Sequence, residues 1–306
     1  MVFNRPTKPL LAEVLKKELL IRQAAHPAID CDVVFRYGGF VGSVIDCHRS
    51  LPRAMEHARN HIREVESANG SVMNGMIILA DTMSQSKGRF TRSWHAPSGG
   101  VWGCMVHANT LLDHSKRFVP LAVGVACCEA VRESGGSDAT LRWVNDVLFG
   151  EKKVAGFLVE GFSGPHYGEE YHLVGFGINV NNLEFPPELL GIATSLSKEL
   201  GAELDITTFT TLFLAKLAWN FGLLYYEESR ELKGDGYSGK DGKHLLLENW
   251  LSLSDTLGQR VLFGFDVMTN PEFEATVIGL QDDGGLRLRF ADGTEKVEHS
   301  GEIRYL

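Results

Sequence analysis

The stretch LRWVNDVLFGEKKVAGFLVEGF, residues 141–162, sets two apolar runs on either side of the turn Gly150-Glu151-Lys152. Runs of this length around a glycine turn predict a hairpin, with LRWVNDVLF as one strand and KKVAGFLVEGF as the other. RWVND, residues 142–146, brings Trp143, Asn145 and Asp146 together, and the returning strand carries Lys153. Two readings stand: an Asn-Asp turn with solvated lysines, or a site where amide, carboxylate and ammonium groups converge.

Further strands and helices extend from this hairpin in both directions. YHLVGFGINVNN reads as a strand ending in an Asn-rich turn, and FVPLAVGVACCEAVRES as a long helix that uses Cys127 and Cys128 for packing. VWGCMVHAN and NGMIILAD read as buried strands, and SLPRAMEHARNHIREVES as a helix with Pro52 in its first turn. VVFRYGGFVGSVIDC predicts two short strands around Gly38-Gly39, and the N-terminus predicts one amphipathic helix. Downstream, ATSLSKELG predicts a short helix capped by Thr194 or Ser195, and ITTFTTLFLAKLAWNFGLLYYEES a long one. The glycine-rich segment 234–244 reads as a linker, and four or five short strands after it predict a small β-barrel. The expected architecture is therefore α/β: a helical extension (1–30), a mixed sheet flanked by helices (31–245) and a small C-terminal barrel (246–306).

The 306 residues are 44% hydrophobic and 23% charged, with a formal net charge of −9, which speaks against a general nucleic-acid binder. No run is long and apolar enough for a membrane span, and no signal-peptide core opens the chain. Five cysteines without a C-x-x-C pair read as reduced thiols of a cytoplasmic protein.

Within this acidic chain, SQSKGRFTRSW (84–94) packs Lys87, Arg89 and Arg92 around Gly88 and ends on Trp94. Small residues admit an oxyanion to backbone N–H groups, and the cations would neutralise it. An ordinary solvated turn is the alternative. The loop is not a Walker A motif, and the Gly-x-Gly of GFGINVNN lacks the third glycine of a dinucleotide fingerprint.

Taken together and in this order, the motifs resemble the biotin protein ligase family of the wider biotin/lipoate ligase superfamily. KGRFTRSW resembles its glycine/arginine-rich loop, RWVND its K-W-P-N-D signature, and KKVAGFLVEG its K-x-x-G-[IL]-L-x-E strand. GFGINVNN and ATSL resemble two further motifs, and the C-terminal strands the family's SH3-like barrel. The resemblance implies a fold related to class II aminoacyl-tRNA synthetases and a two-step, ATP-dependent reaction. An acid is activated as its acyl-adenylate, then transferred to a lysine of a biotin carboxyl carrier protein. It implies Lys153, Arg89 and Asp146 as catalytic residues. Lys87, Gly88, Arg89, Arg92, Trp94, Asn145 and Asn179 are implied at the nucleotide, and Cys47, His48, Met83, Trp102, Cys104, Gly156 and Leu158 at the acid. ATP and Mg2+ are implied as cofactors, the metal carried mainly by phosphates with Asp146 or Asn179 as protein ligands, and a homodimer is one possible assembly.

Departures from the pattern fall mostly on the acid side. Cys47-His48-Arg49 stands where the family has Ser-Thr-Asn, Met83 where it has Gln, and Cys104 where it has Ser. Ser86, Lys87 and Thr91 replace Gly, Arg and Gly in the loop, and Val144 replaces Pro. Losing hydroxyl and amide partners for a ureido ring costs roughly 1–3 kcal/mol per orphaned group, so biotin, lipoate and octanoate all stand as candidate acids. A non-catalytic binding module is a second class of reading. A DNA-binding repressor would need a helix-turn-helix, for which only one helix precedes residue 31.

Overall fold

A computed structural model describes residues 4–89 and 92–306. Seven strands form a mixed sheet: β1 (Ile45–Leu51), β2 (Met76–Met83), β3 (Val101–Ala108), β4 (Ala139–Arg142), β5 (Asp146–Phe149), β6 (Lys152–Ser163) and β7 (Glu170–Ile178). Their order is β1-β2-β3-β7-β6-β5-β4, with β1 and β2 parallel and every other pair antiparallel. No described helix is long and apolar enough to cross a membrane.

Alternation along the strands gives the sheet two buried faces. Ile77, Leu79, Val101, Met105, Ala155, Val174 and Ile178 join one core with helices α4 (Val119–Glu133) and α6 (Ile206–Lys233). Ile78, Ala80, Cys104, Val106 and Leu173 face the opposite way, under Ala54, Met55, Ala58 and Ile62 of α3 (Ala54–Ser67). Helix α3 reaches only part of this second face and leaves the glycine-bearing end of β6 and β7 for other groups.

Several expectations are corrected. The first half of VVFRYGGFVGSVIDC is helix α2 (Cys31–Gly38), not a strand. Asp30 caps it by accepting from the Val33 amide, and its glycine serves a helix crossing instead of a turn. A Cβ on Gly38 would lie 1.8 Å from the Ala218 carbonyl oxygen, and one on Gly222 2.1 Å from that of Val34. LRWVNDVLF is itself a hairpin, β4 and β5, turning through Trp143-Val144-Asn145; the Trp143–Val144 peptide is cis. Pro52 lies before the cap residue Arg53 of α3, outside the helix. Ser195 occupies the N-cap of α5 (Leu196–Leu200), but its side chain makes no cap hydrogen bond.

Helix α1 (Lys8–Ala25) is fastened by buried charge. Lys216 donates to Glu18 at 2.8 and 2.9 Å, and Arg22 spans Glu18 and Glu129. The segment 234–244 leads into α7 (Leu245–Leu253), which packs on α4. Five antiparallel strands follow: β8 (Arg260–Gly264), β9 (Phe273–Leu280), β10 (Leu286–Arg289), β11 (Glu295–Glu298) and β12 (Glu302–Tyr305). They pair in the order β11-β10-β9-β8-β12, the five-stranded antiparallel unit expected at the C-terminus, and among the described residues no ladder joins β11 to β12.

Candidate active site

The open end of the second sheet face is floored by glycine. Gly156 of β6 pairs with Gly177 of β7, and the neighbouring row pairs Leu158 with Gly175. The floor has no side chains at these glycines, so the Trp94 indole lies directly on the backbone. A Cβ on Gly177 would fall 2.6 Å from Trp94 Nε1, and one on Gly156 3.1 Å from the same ring. The result is a cavity of about 200 Å³.

Lys153 enters this cavity because of a β-bulge. Val147 pairs with Ala155 while Leu148 pairs with Lys153, leaving Val154 as an extra residue. Val154 and Ala155 are both buried in the first core, and the extra residue moves Lys153 to the face of Gly156. The Lys153 ammonium lies 2.8 Å from where a Gly156 Cβ would be and 5.2 Å from the Trp94 ring centroid.

Asp146 holds that ammonium from beneath, with Oδ1 2.5 Å from Lys153 Nζ and Oδ2 accepting from Arg142 at 2.6 Å. Burial by itself would raise this carboxyl, but Lys153 and Arg142 outweigh it and bring its pKa down to about 2. The turn before β5 is pinned by Asn145, whose Nδ2 donates to the Phe157 carbonyl at 2.6 Å while its own carbonyl accepts from the Phe157 amide at 3.1 Å. The site therefore combines a fixed ammonium, a carboxylate ionised at neutral pH behind it and an amide at the rim.

The basic loop closes the cavity from above. Gly88 donates to the Arg92 carbonyl and Trp94 to that of Ser86 (2.8 and 2.9 Å), so the loop is a small laced turn. Arg89 donates to the Gly301 carbonyl at 2.5 Å, and Arg92 pairs with Glu302. Both partners belong to the C-terminal sheet or the turn leading into it. Burial lowers the Arg89 pKa, with Glu302 and Asp146 opposing that shift. Thr91 lies outside the described residues. A second hollow of about 210 Å³ shares the Arg89, Asn145, Phe157 and Leu158 walls and adds Arg117 and His299.

Of the residues singled out from sequence, Lys87, Gly88, Arg89, Arg92, Trp94, Met83, Asn145, Lys153, Gly156 and Leu158 line the main cavity. Six others do not line it, Asp146 among them, which stands behind Lys153. Trp102 is fully buried and donates to the Pro97 carbonyl at 2.7 Å, which shapes the turn before β3. Cys104 is sealed under α3, where burial pushes its thiol up to about 12. Asn179 is buried and accepts from Asn182 at 3.0 Å, ordering the Asn-rich turn. Cys47 and His48 stand on β1, short of the cavity; the strand runs on to Leu51, and Arg53, Ala54 and Met55 at the start of α3 reach the lining instead. Phe176 and Gly177 of the GFGINVNN motif also line the site, as do Arg53, Met55 and Glu302, which no sequence pattern marked.

The fold and cleft define an α/β protein with a glycine-floored cavity walled by cations (Lys87, Arg89, Arg92, Lys153) and by apolar side chains (Met55, Met83, Leu158), a lining that suits a small molecule with anionic and apolar parts. Comparison with known proteins narrows this class. Residues 66–181 match the biotin/lipoate A/B protein ligase family. It is 28% identical over 242 residues to the bifunctional ligase/repressor BirA of Bacillus subtilis, covering 78% of this chain and 68% of that one. It is 27% identical over 232 residues to the biotin--[acetyl-CoA-carboxylase] ligase of Paracoccus denitrificans, covering 72% and 86%. In fold it is similar to the biotin protein ligase from Aquifex aeolicus in complex with biotin and ATP, with a TM-score of 0.67 at 23% identity over 86% of this chain and 99% of that one.

Proposed function

We propose that this protein is an ATP-dependent biotin–protein ligase, forming biotinyl-adenylate and transferring the acyl group to a lysine of a biotin carboxyl carrier protein. The observation that carries the reading is the position of Lys153 over Gly156, against Trp94 and beneath Arg89 and Arg92. In the first step an acid carboxylate oxygen attacks the α-phosphorus of ATP and pyrophosphate leaves. Two anions must approach, and a compact ammonium can neutralise both at one point. Asp146 keeps that ammonium placed before substrate arrives, which lowers the reorganisation needed at the transition state. Arg89 and Arg92 on the cavity wall would neutralise the phosphate groups, and Trp94 would pack on the nucleotide side. In the second step the carrier's lysine amine attacks the acyl carbon, the C–O bond to the phosphate breaks, and AMP leaves.

Asp146 is already held by two cations, and the cavity is lined mainly by cationic and apolar groups. These residues fit Mg2+ carried by phosphates and water, with Asp146 as the candidate protein ligand. When bound, the ion would supply charge neutralisation of the triphosphate.

Met55, Met83 and Leu158 at the acid end, beside Arg53, favour one second reading, in which the acid is lipoate or octanoate. Mass spectrometry of adenylates formed from ATP with biotin, lipoate and octanoate in competition tests both. Biotinyl-adenylate as the main product supports the first reading and octanoyl- or lipoyl-adenylate the second; no adenylate from any of the three contradicts both.

A further inference from the structure

Strand β1 carries Asp46 and His48 two residues apart, so both project from one face of the sheet edge. Their register partners, Ile78 and Ala80, place that face under α3. His57 comes down from α3 to meet them. Asp46 Oδ2 lies 2.7 Å from His48 Nε2 and 3.6 Å from His57 Nε2, and the two imidazoles meet edge to face with centroids 4.6 Å apart. All three donor atoms fall within 4.8 Å of one another, and no other such group occurs among the described residues.

We propose that Asp46, His48 and His57 bind one divalent transition-metal cation, with Zn2+ the ion best suited to the donor set. Two imidazole nitrogens and one carboxylate oxygen are borderline donors that match Zn2+, Co2+ or Ni2+ better than Mg2+ or Ca2+, which require oxygen cages. Bonds of about 2.0–2.1 Å in a tetrahedral shell put donors roughly 3.3 Å apart, and the two separations from Asp46 bracket that value. Side chains 27–35% exposed let the ion enter and leave room for water in the fourth position. Each histidine would present its Nε2 lone pair with the proton on Nδ1, and the ion would replace the Asp46–His48 hydrogen bond. It would also tie the edge strand to the first turn of α3, next to the Arg53, Ala54 and Met55 wall of the cavity.

The test is titration of the chelator-stripped full chain with Co2+, read by its visible bands, followed by displacement with Zn2+. One equivalent is expected, with binding weakened roughly tenfold or more in each of His48→Gln and His57→Gln and unchanged in His61→Gln, one turn along α3. X-ray absorption of the Co2+-loaded parent should show two imidazoles on the metal, a reading that does not depend on any variant folding. Absence of a saturable equivalent, unchanged binding in the two histidine variants, or fewer than two imidazoles would overturn the proposal.

Discussion

Gly156 and Gly177 show how much of the site depends on absent side chains. Gly177→Ala puts a methyl group into the Trp94 ring, and Gly156→Ala puts one chiefly against the end of the Lys153 side chain, both of which can move aside. The fold should therefore survive while the indole and Lys153 are displaced. The predicted outcome is adenylate formation down about 100-fold with an unchanged far-UV spectrum. Asp146 gives a second prediction at this scale. Its depressed carboxyl contributes stability that is complete above the ordinary carboxylate pKa of about 4 and is lost as the pH falls through about 2. Asp146→Asn should cost about 2 kcal/mol at neutral pH and remove that part of the acid limb, as measured by urea unfolding at neutral pH and near pH 3.

Among the elements, the α2–α6 crossing makes the sharpest prediction. Gly38→Ala or Gly222→Ala drives a methyl group into a backbone carbonyl that no rotamer change can clear, so each should cost about 2–3 kcal/mol, read from thermal or urea melts. The same crossing explains a misleading part of the sequence. Val33, Val34 and Phe35 favour a strand locally, and Gly38-Gly39 resembles a turn, but a contact with residues nearly 200 positions away makes the segment helical. RWVND and Lys153 were legible because their chemistry is local to one hairpin. The bulge that turns Lys153 toward Gly156 was not, because it appears only in the pairing register. Cys47 and His48 fall short of the cavity for a similar reason: β1 continues to Leu51, and Arg53, Ala54 and Met55 at the start of α3 stand on the cavity wall.

Across the whole molecule, the basic loop and the C-terminal sheet are joined through Arg89–Gly301 and Arg92–Glu302. The cavity is thus closed by residues some two hundred positions apart in the chain, a contact no local motif announces. Arg92 is partly exposed, so its ion pair is worth under about 1 kcal/mol. Glu302→Gln should accordingly raise the rate of proteolytic cleavage within residues 84–94 by about threefold, scored by mass spectrometry of the fragments, without a change in Tm.

The central claim is that Lys153 serves acyl-adenylate formation, and exchange of radiolabelled pyrophosphate into ATP isolates that step from transfer to a carrier. The account predicts exchange that depends on added acid in the parent protein and is abolished in Lys153→Ala, with ATP binding retained. Acid-dependent exchange that persists undiminished in Lys153→Ala would contradict it.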